Sequence, residues 1–124
     1  MNQKIIDKDQ SINIAIGFLR SNRPLRAEEV CRNYLNNNPG CTEHLRLLSH
    51  SLMKQDRFLE AEEKLRFALS LSPKYPQLYE DLGRVFAMQS RFEEAVNQFE
   101  KALKLQPSLP VSYTHLTLPT IYSV

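Results

Sequence analysis

Few residues in this sequence are of types and spacings that could do chemistry. Cys31, Cys41, His44 and His50 lie in one short stretch and carry the thiolate and imidazole ligands that zinc prefers. Their spacing argues against a shared metal. His44 and His50 are six positions apart, so a helix would turn them to different faces. Cys31 falls in an apolar rhythm, where a free cysteine acts as a small hydrophobe. The pairs Glu28/Glu29, Glu62/Glu63 and Glu93/Glu94 look like catalytic carboxylates. They recur near the starts of expected helices, where negative charge favours the helix dipole. Gly17, Gly40 and Gly83 are too scattered for a phosphate-cradling loop, and neither HExxH nor a nucleophile elbow occurs. The expectation is a chain without catalytic residues, cofactor or metal.

Composition narrows the class. At 124 residues, 42% hydrophobic and 24% charged, the chain suits one ordinary folded domain. A net charge of +2 without a Lys/Arg block gives no basic stripe for nucleic acid. Arg20, Arg23 and Arg26 read as a solvated helix end. No apolar run approaches the ~20 residues of a membrane span. Met1 to Gln10 is polar apart from Ile5 and Ile6, unlike a signal peptide. Two cysteines make no secreted disulfide framework. No nucleic acid or membrane partner is expected, and the expected location is cytoplasmic.

The elements that position these residues come from an internal repeat. Ala27, Ala61 and Ala95 are spaced by 34, as are Pro39, Pro73 and Pro107, and Leu35, Leu69 and Leu103. Bulky residues recur at Phe18, Leu52 and Phe86 and at Ile14, Leu48 and Leu82; small ones recur at Ala15, Ser49 and Gly83. Arg23, Arg57 and Arg91 sit between the halves of each repeat. Within each half, apolar spacings of three and four describe one face of a helix. Six helices follow, near Asp9–Ser21, Pro24–Asn37, Thr42–Gln55, Arg57–Leu71, Pro76–Gln89 and Arg91–Leu105. Short connections make neighbours antiparallel. Ser90 to Glu93 has the form of a capping box for the last helix. Gly83 lets a partner helix approach closely, and Ala95 is the small residue expected opposite it.

The pattern resembles the tetratricopeptide repeat (TPR), a 34-residue helix–turn–helix unit. Its signature falls on Tyr79, Leu82, Gly83, Phe86, Ala95, Phe99, Ala102 and Pro107 in the third repeat. The second repeat carries Leu45, Leu48, Ser49, Leu52, Ala61, Leu65, Ala68 and Pro73. The first keeps Ala27 and Pro39 but has Ser11 at the aromatic position, Cys31 at the Phe position and Tyr34 where Ala is usual. The resemblance implies an all-α solenoid of three repeats: 8–41, divergent, then 42–75 and 76–109, after a lead-in of 1–7.

It also implies function. In this family the first helices line a groove that binds peptides. The lining positions fall on Ile12, Ile16, Leu19 and Arg20, on Arg46, His50, Met53 and Lys54, and on Gln77, Glu80, Arg84 and Ala87. The family's clamp for C-terminal carboxylates needs Lys and Asn where this chain has Ile12 and Ile16. The implied activity is a non-catalytic scaffold taking a segment with an apolar anchor and some negative charge. The alternative class is enzymatic: Ala27–Leu35 and His44–Leu48 resemble the repeat region that precedes the catalytic domain of bacterial TPR-containing sulfotransferases.

From Pro110 the character changes. Val111 to Val124 has no charge and no helical period. It resembles the in-frame translation of a transposase-type sequencing adapter, so 110–124 is expected to be a non-native tail and the natural chain to continue. The last helix, with Phe99, Leu103 and Leu105, then lacks a covering successor, so modest stability and self-association through that face are expected.

Overall fold

Six α-helices and their connections make up the described part of this computed structural model, residues 7–107. They are α1 (Lys8–Arg20), α2 (Pro24–Asn37), α3 (Thr42–Lys54), α4 (Phe58–Leu71), α5 (Pro76–Met88) and α6 (Phe92–Leu105). The fold is all-α, and each boundary lies within one residue of the expected one. The expected tail, 110–124, lies outside the described residues, as does most of the 1–7 lead-in.

The turns within each repeat share one stop signal. Asn22, Asp56 and Ser90, spaced by 34, all have positive φ, between 60° and 63°. The following amides close back on the helix: Arg23 N donates to Phe18 O, Arg57 N to Leu52 O and Arg91 N to Phe86 O, at 2.7 to 2.9 Å. Asn22, Asp56 and Ser90 donate one turn inside, to Leu19, Met53 and Ala87. Together these bonds form a Schellman motif, which satisfies carbonyls that a helix end leaves orphaned. The recurring arginines therefore mark the residue after a left-handed turn. The expected capping box at Ser90 does not form: Ser90 is the left-handed residue, and Arg91 is the N-cap, without a side-chain cap. A capping box does form at Asp7, whose side chain accepts from Gln10 N at 2.8 Å.

A left-handed serine is strained by roughly 1–2 kcal/mol relative to glycine, and glycine's greater entropy in the unfolded chain offsets part of the relief. Ser90→Gly should therefore raise stability by about 0.5–1 kcal/mol, read as a higher midpoint in denaturant. A lower midpoint would contradict this account of the turn.

The chain divides into two units, Met1–Lys64 and Leu65–Val124, with the boundary inside α4. In the first, α1 packs on α2 and α3, and α2 packs on α3. Its buried apolar residues include Ala15, Ala27, Cys31, Leu45, Leu48, Leu52 and Ala61. Ile14, in register with buried Leu48 and Leu82, is instead 40% exposed.

In the second unit α5 packs on α6. Leu65, Ala68, Leu78, Leu82, Val85, Phe86, Ala95, Phe99 and Ala102 are buried. Gly83 does allow a close approach, but the partner differs from expectation. A Cβ on Gly83 would lie 2.7 Å from Phe99 Cε1, so the Phe99 ring, not Ala95, fills the space that the glycine leaves. Phe99 is only 2% exposed, so it belongs to the core rather than to an uncovered outer face. Leu105, at 41%, is the exposed residue of the expected trio.

Candidate functional site

The acid pairs split by role. Glu93 and Glu94 lie in the first turn of α6, but no acidic residue lies in the first turn of α2. Glu28 instead accepts from Arg57 Nη1 and Arg32 Nε at 2.8 Å and from Gln55 Nε2 at 2.9 Å. Burial alone would raise the Glu28 carboxyl, but these donors outweigh it and hold the group below its ordinary value. Hydrogen bonds from Arg57 likewise keep the half-buried Glu60 carboxyl low. These are structural carboxylates, charged and occupied, with no proton to exchange near neutral pH.

Arg91 combines three jobs at the α5–α6 turn. Its Nε and Nη2 reach the two carboxylate oxygens of Glu94, each at 2.8 Å. Its guanidinium also lies 4.4 Å from the centroid of buried Phe86, a cation–π distance. Its backbone amide closes the Schellman motif, so one residue ties the turn to the core.

The metal-ligand types do not converge as a cluster. Among the described residues no group of three or more His, Cys, Asp or Glu side chains could hold a metal ion. Cys31 is buried in α2. Cys41 and His44 do meet, at 3.0 Å between Sγ and Nδ1. Sequence spacing alone did not reveal this pair. The available signal was that Cys41 and His44 occupy the N-cap and third positions of α3, the two partners of a capping box.

The peptide-groove candidates fall on α1, α3 and α5. In the first unit, Ile12, Ile16 and Arg20 follow one line of α1 at i, i+4 and i+8. Arg46, His50 and Lys54 follow the equivalent line of α3, and α1 packs on α3. Ile12, Ile16, Arg46 and His50 are half-buried; Arg20 and Lys54 are exposed. Met53 is 6% exposed, placing it beneath this face rather than on it. In the second unit Arg84 of α5 is half-buried, and Glu80 is 5% exposed.

The tetratricopeptide repeat profile matches residues 40–108, more than half of the chain. This chain belongs to the tetratricopeptide repeat family. The TPR signature residues Ala27, Leu48, Ala61, Leu82, Phe86, Ala95, Phe99 and Ala102 are all buried, which is the packing role that the motif encodes. Tyr79 is half-buried, and its hydroxyl donates to Pro73 O at 2.7 Å. No sequence among curated proteins matches the chain.

Solved structures share the TPR fold at low identity. MamA is 18% identical with a TM-score of 0.78, covering 91% of this chain and 66% of its own. The second TPR domain of human RPAP3, solved with the HSP70 peptide SGPTIEEVD, is 20% identical with a TM-score of 0.77, covering 87% and 90%. YrrB, described as a TPR protein with an unusual peptide-binding site, is 17% identical with a TM-score of 0.75, covering 84% and 54%. This chain thus spans just under two thirds of MamA. Among the described residues, no helix is long and apolar enough to cross a membrane.

Proposed function

We propose that this TPR chain is a protein-interaction module that binds an extended peptide along the first helices of its repeats. The observation that carries the reading is the face of the first unit. There Ile12 and Ile16 of α1 supply apolar surface, while Arg20, Arg46 and Lys54 supply positive charge, on two helices that pack together. Half-buried isoleucines suit an apolar anchor, and three cations suit acidic residues flanking it. The family's use of this surface supports the reading, as does the acidic peptide bound by the RPAP3 domain. Ile12 and Ile16 stand where the carboxylate clamp needs polar groups, so the ligand is an internal segment rather than a free C-terminus. Met53 supports this face from beneath; in the second unit Glu80 and Arg84 lie on the equivalent line of α5.

The test uses a peptide selected from a displayed random library on the intact chain. Rim charges act mainly on association and salt dependence, so Arg46→Glu combined with Lys54→Glu should weaken the complex by about tenfold or more, roughly 1.4 kcal/mol. The slope of affinity against salt should also fall. Unchanged affinity with intact helicity would retire the assignment.

A further inference from the structure

The first repeat departs from the TPR pattern at Ser11 and Tyr34, and both departures meet at one place. His44 is fully buried. Tyr34 lies flat against it, ring centroids 3.9 Å apart and planes 13° from parallel. Ser11 Oγ hydrogen-bonds His44 Nε2, and Cys41 Sγ meets His44 Nδ1 at 3.0 Å. In the next repeat, the same register positions hold Leu45 for Ser11, Ala68 for Tyr34, Tyr75 for Cys41 and Leu78 for His44. The fold is thus built with apolar residues at the first and last of these positions. The polar chain Ser11–His44–Cys41 is an addition, and buried polar groups cost free energy unless paired.

The geometry fixes what this addition can do. In the tautomer that carries its proton on Nε2, His44 donates to Ser11 Oγ and presents a bare Nδ1 to Cys41 Sγ. A thiol held by an imidazole, itself oriented by a third group, is a nucleophile with its base. Burial holds the His44 imidazole below its ordinary proton affinity, so the ring is neutral at neutral pH. The sulfur also sits at the N-cap of α3, where the helix dipole favours negative charge. Cys41 Sγ also donates to Glu43 Oε1, a longer contact at 3.6 Å, and Lys8 Nζ lies 3.2 Å from the same carboxylate oxygen. Cys41 is half-buried at an open cleft of about 510 Å³, lined also by Lys8, Tyr34, Asn38 and Glu43. The other thiol is the internal contrast. Burial pushes Cys31 up to about 12, leaving it a thiol at neutral pH.

We propose that Cys41 is a modification site, a thiol reversibly oxidised by hydroperoxides, with His44 as its base and Ser11 and Tyr34 as positioning residues. The polar cleft admits a small polar oxidant. His44 Nδ1 takes the thiol proton as the sulfur attacks one peroxide oxygen. The S–O bond forms, the O–O bond breaks, and the leaving hydroxide recovers the proton from the imidazolium as water. Sulfur is oxidised by two electrons to the sulfenic acid, and the peroxide is reduced. A low-molecular-weight thiol then displaces the hydroxyl, forming a mixed disulfide and a second water.

The reaction is followed on the intact chain with hydrogen peroxide and dimedone, a carbon nucleophile that traps sulfenic acids, with adducts located by mass spectrometry. General-base assistance gives large factors, so native Cys41 should be oxidised at least about tenfold faster than Cys41 in guanidinium-unfolded chain at the same pH. Native Cys31 should stay unlabelled. His44→Gln should remove the native advantage while helicity is retained. Should that variant fail to fold, the native-against-unfolded comparison still decides. A native rate no faster than the unfolded rate overturns the proposal, as does preferential labelling of Cys31. A folded His44→Gln that keeps the native rate overturns it too.

Discussion

Phe99→Ala should lower the free energy of unfolding by about 3–5 kcal/mol, the usual cost of emptying a buried phenylalanine site. The ring is 2% exposed and sits against the bare backbone of Gly83, where helices α5 and α6 pack. Removing it deletes transfer free energy and leaves a void beside a residue with no side chain to collapse into it. Against a typical total of about 5–15 kcal/mol, that is a large share. The midpoint of thermal unfolding should fall by roughly 10–20 °C for a chain of this size. A loss under about 1 kcal/mol, the range of ordinary surface substitutions, would show that Phe99 is not a core residue of the second unit.

Gly83→Val is the complementary change, and it should cost about 2–4 kcal/mol by overpacking. Any side chain here starts with a Cβ 2.7 Å from Phe99 Cε1 and 2.9 Å from Cδ1, inside contact distance. Relief from glycine's poor helix propensity returns only a few tenths of a kcal/mol with valine. The two changes should also be coupled. In a Phe99→Ala background the valine fills the vacated space, so the double variant should be more stable than the sum of the singles by about 1–3 kcal/mol. Strict additivity in denaturant unfolding would mean that the two sites do not share a contact.

The sequence made the helices legible because the information is redundant. Three copies of Ala27, Ala61 and Ala95, and of the prolines that follow each repeat, say the same thing. Contact partners were less legible. Gly83 announced a close approach, but the partner could have been any residue on one face of α6, and the aromatic ring rather than the small residue took the space. The left-handed turns at Asn22, Asp56 and Ser90 were not legible either, because none is a glycine, the residue that usually marks such a turn. Among the groove candidates, the helical line predicted who shares a face but not depth. Met53 and Glu80 are buried while Lys54 and Arg20 are exposed, a difference set by how each helix is covered. The Cys41–His44–Ser11 chain was the least legible, since Ser11 is 33 positions from His44 and reaches it only through the packing of α1 on α3.

Mapping the bound peptide by amide chemical shifts tests the proposed interaction face most directly. The intact chain is titrated with a library-selected peptide carrying an apolar residue between acidic ones. In the first unit, the largest shifts should fall on Ile12, Ile16 and Arg20 of α1 and on Arg46, His50 and Lys54 of α3. Shifts concentrated on α2, with that face undisturbed, would contradict it.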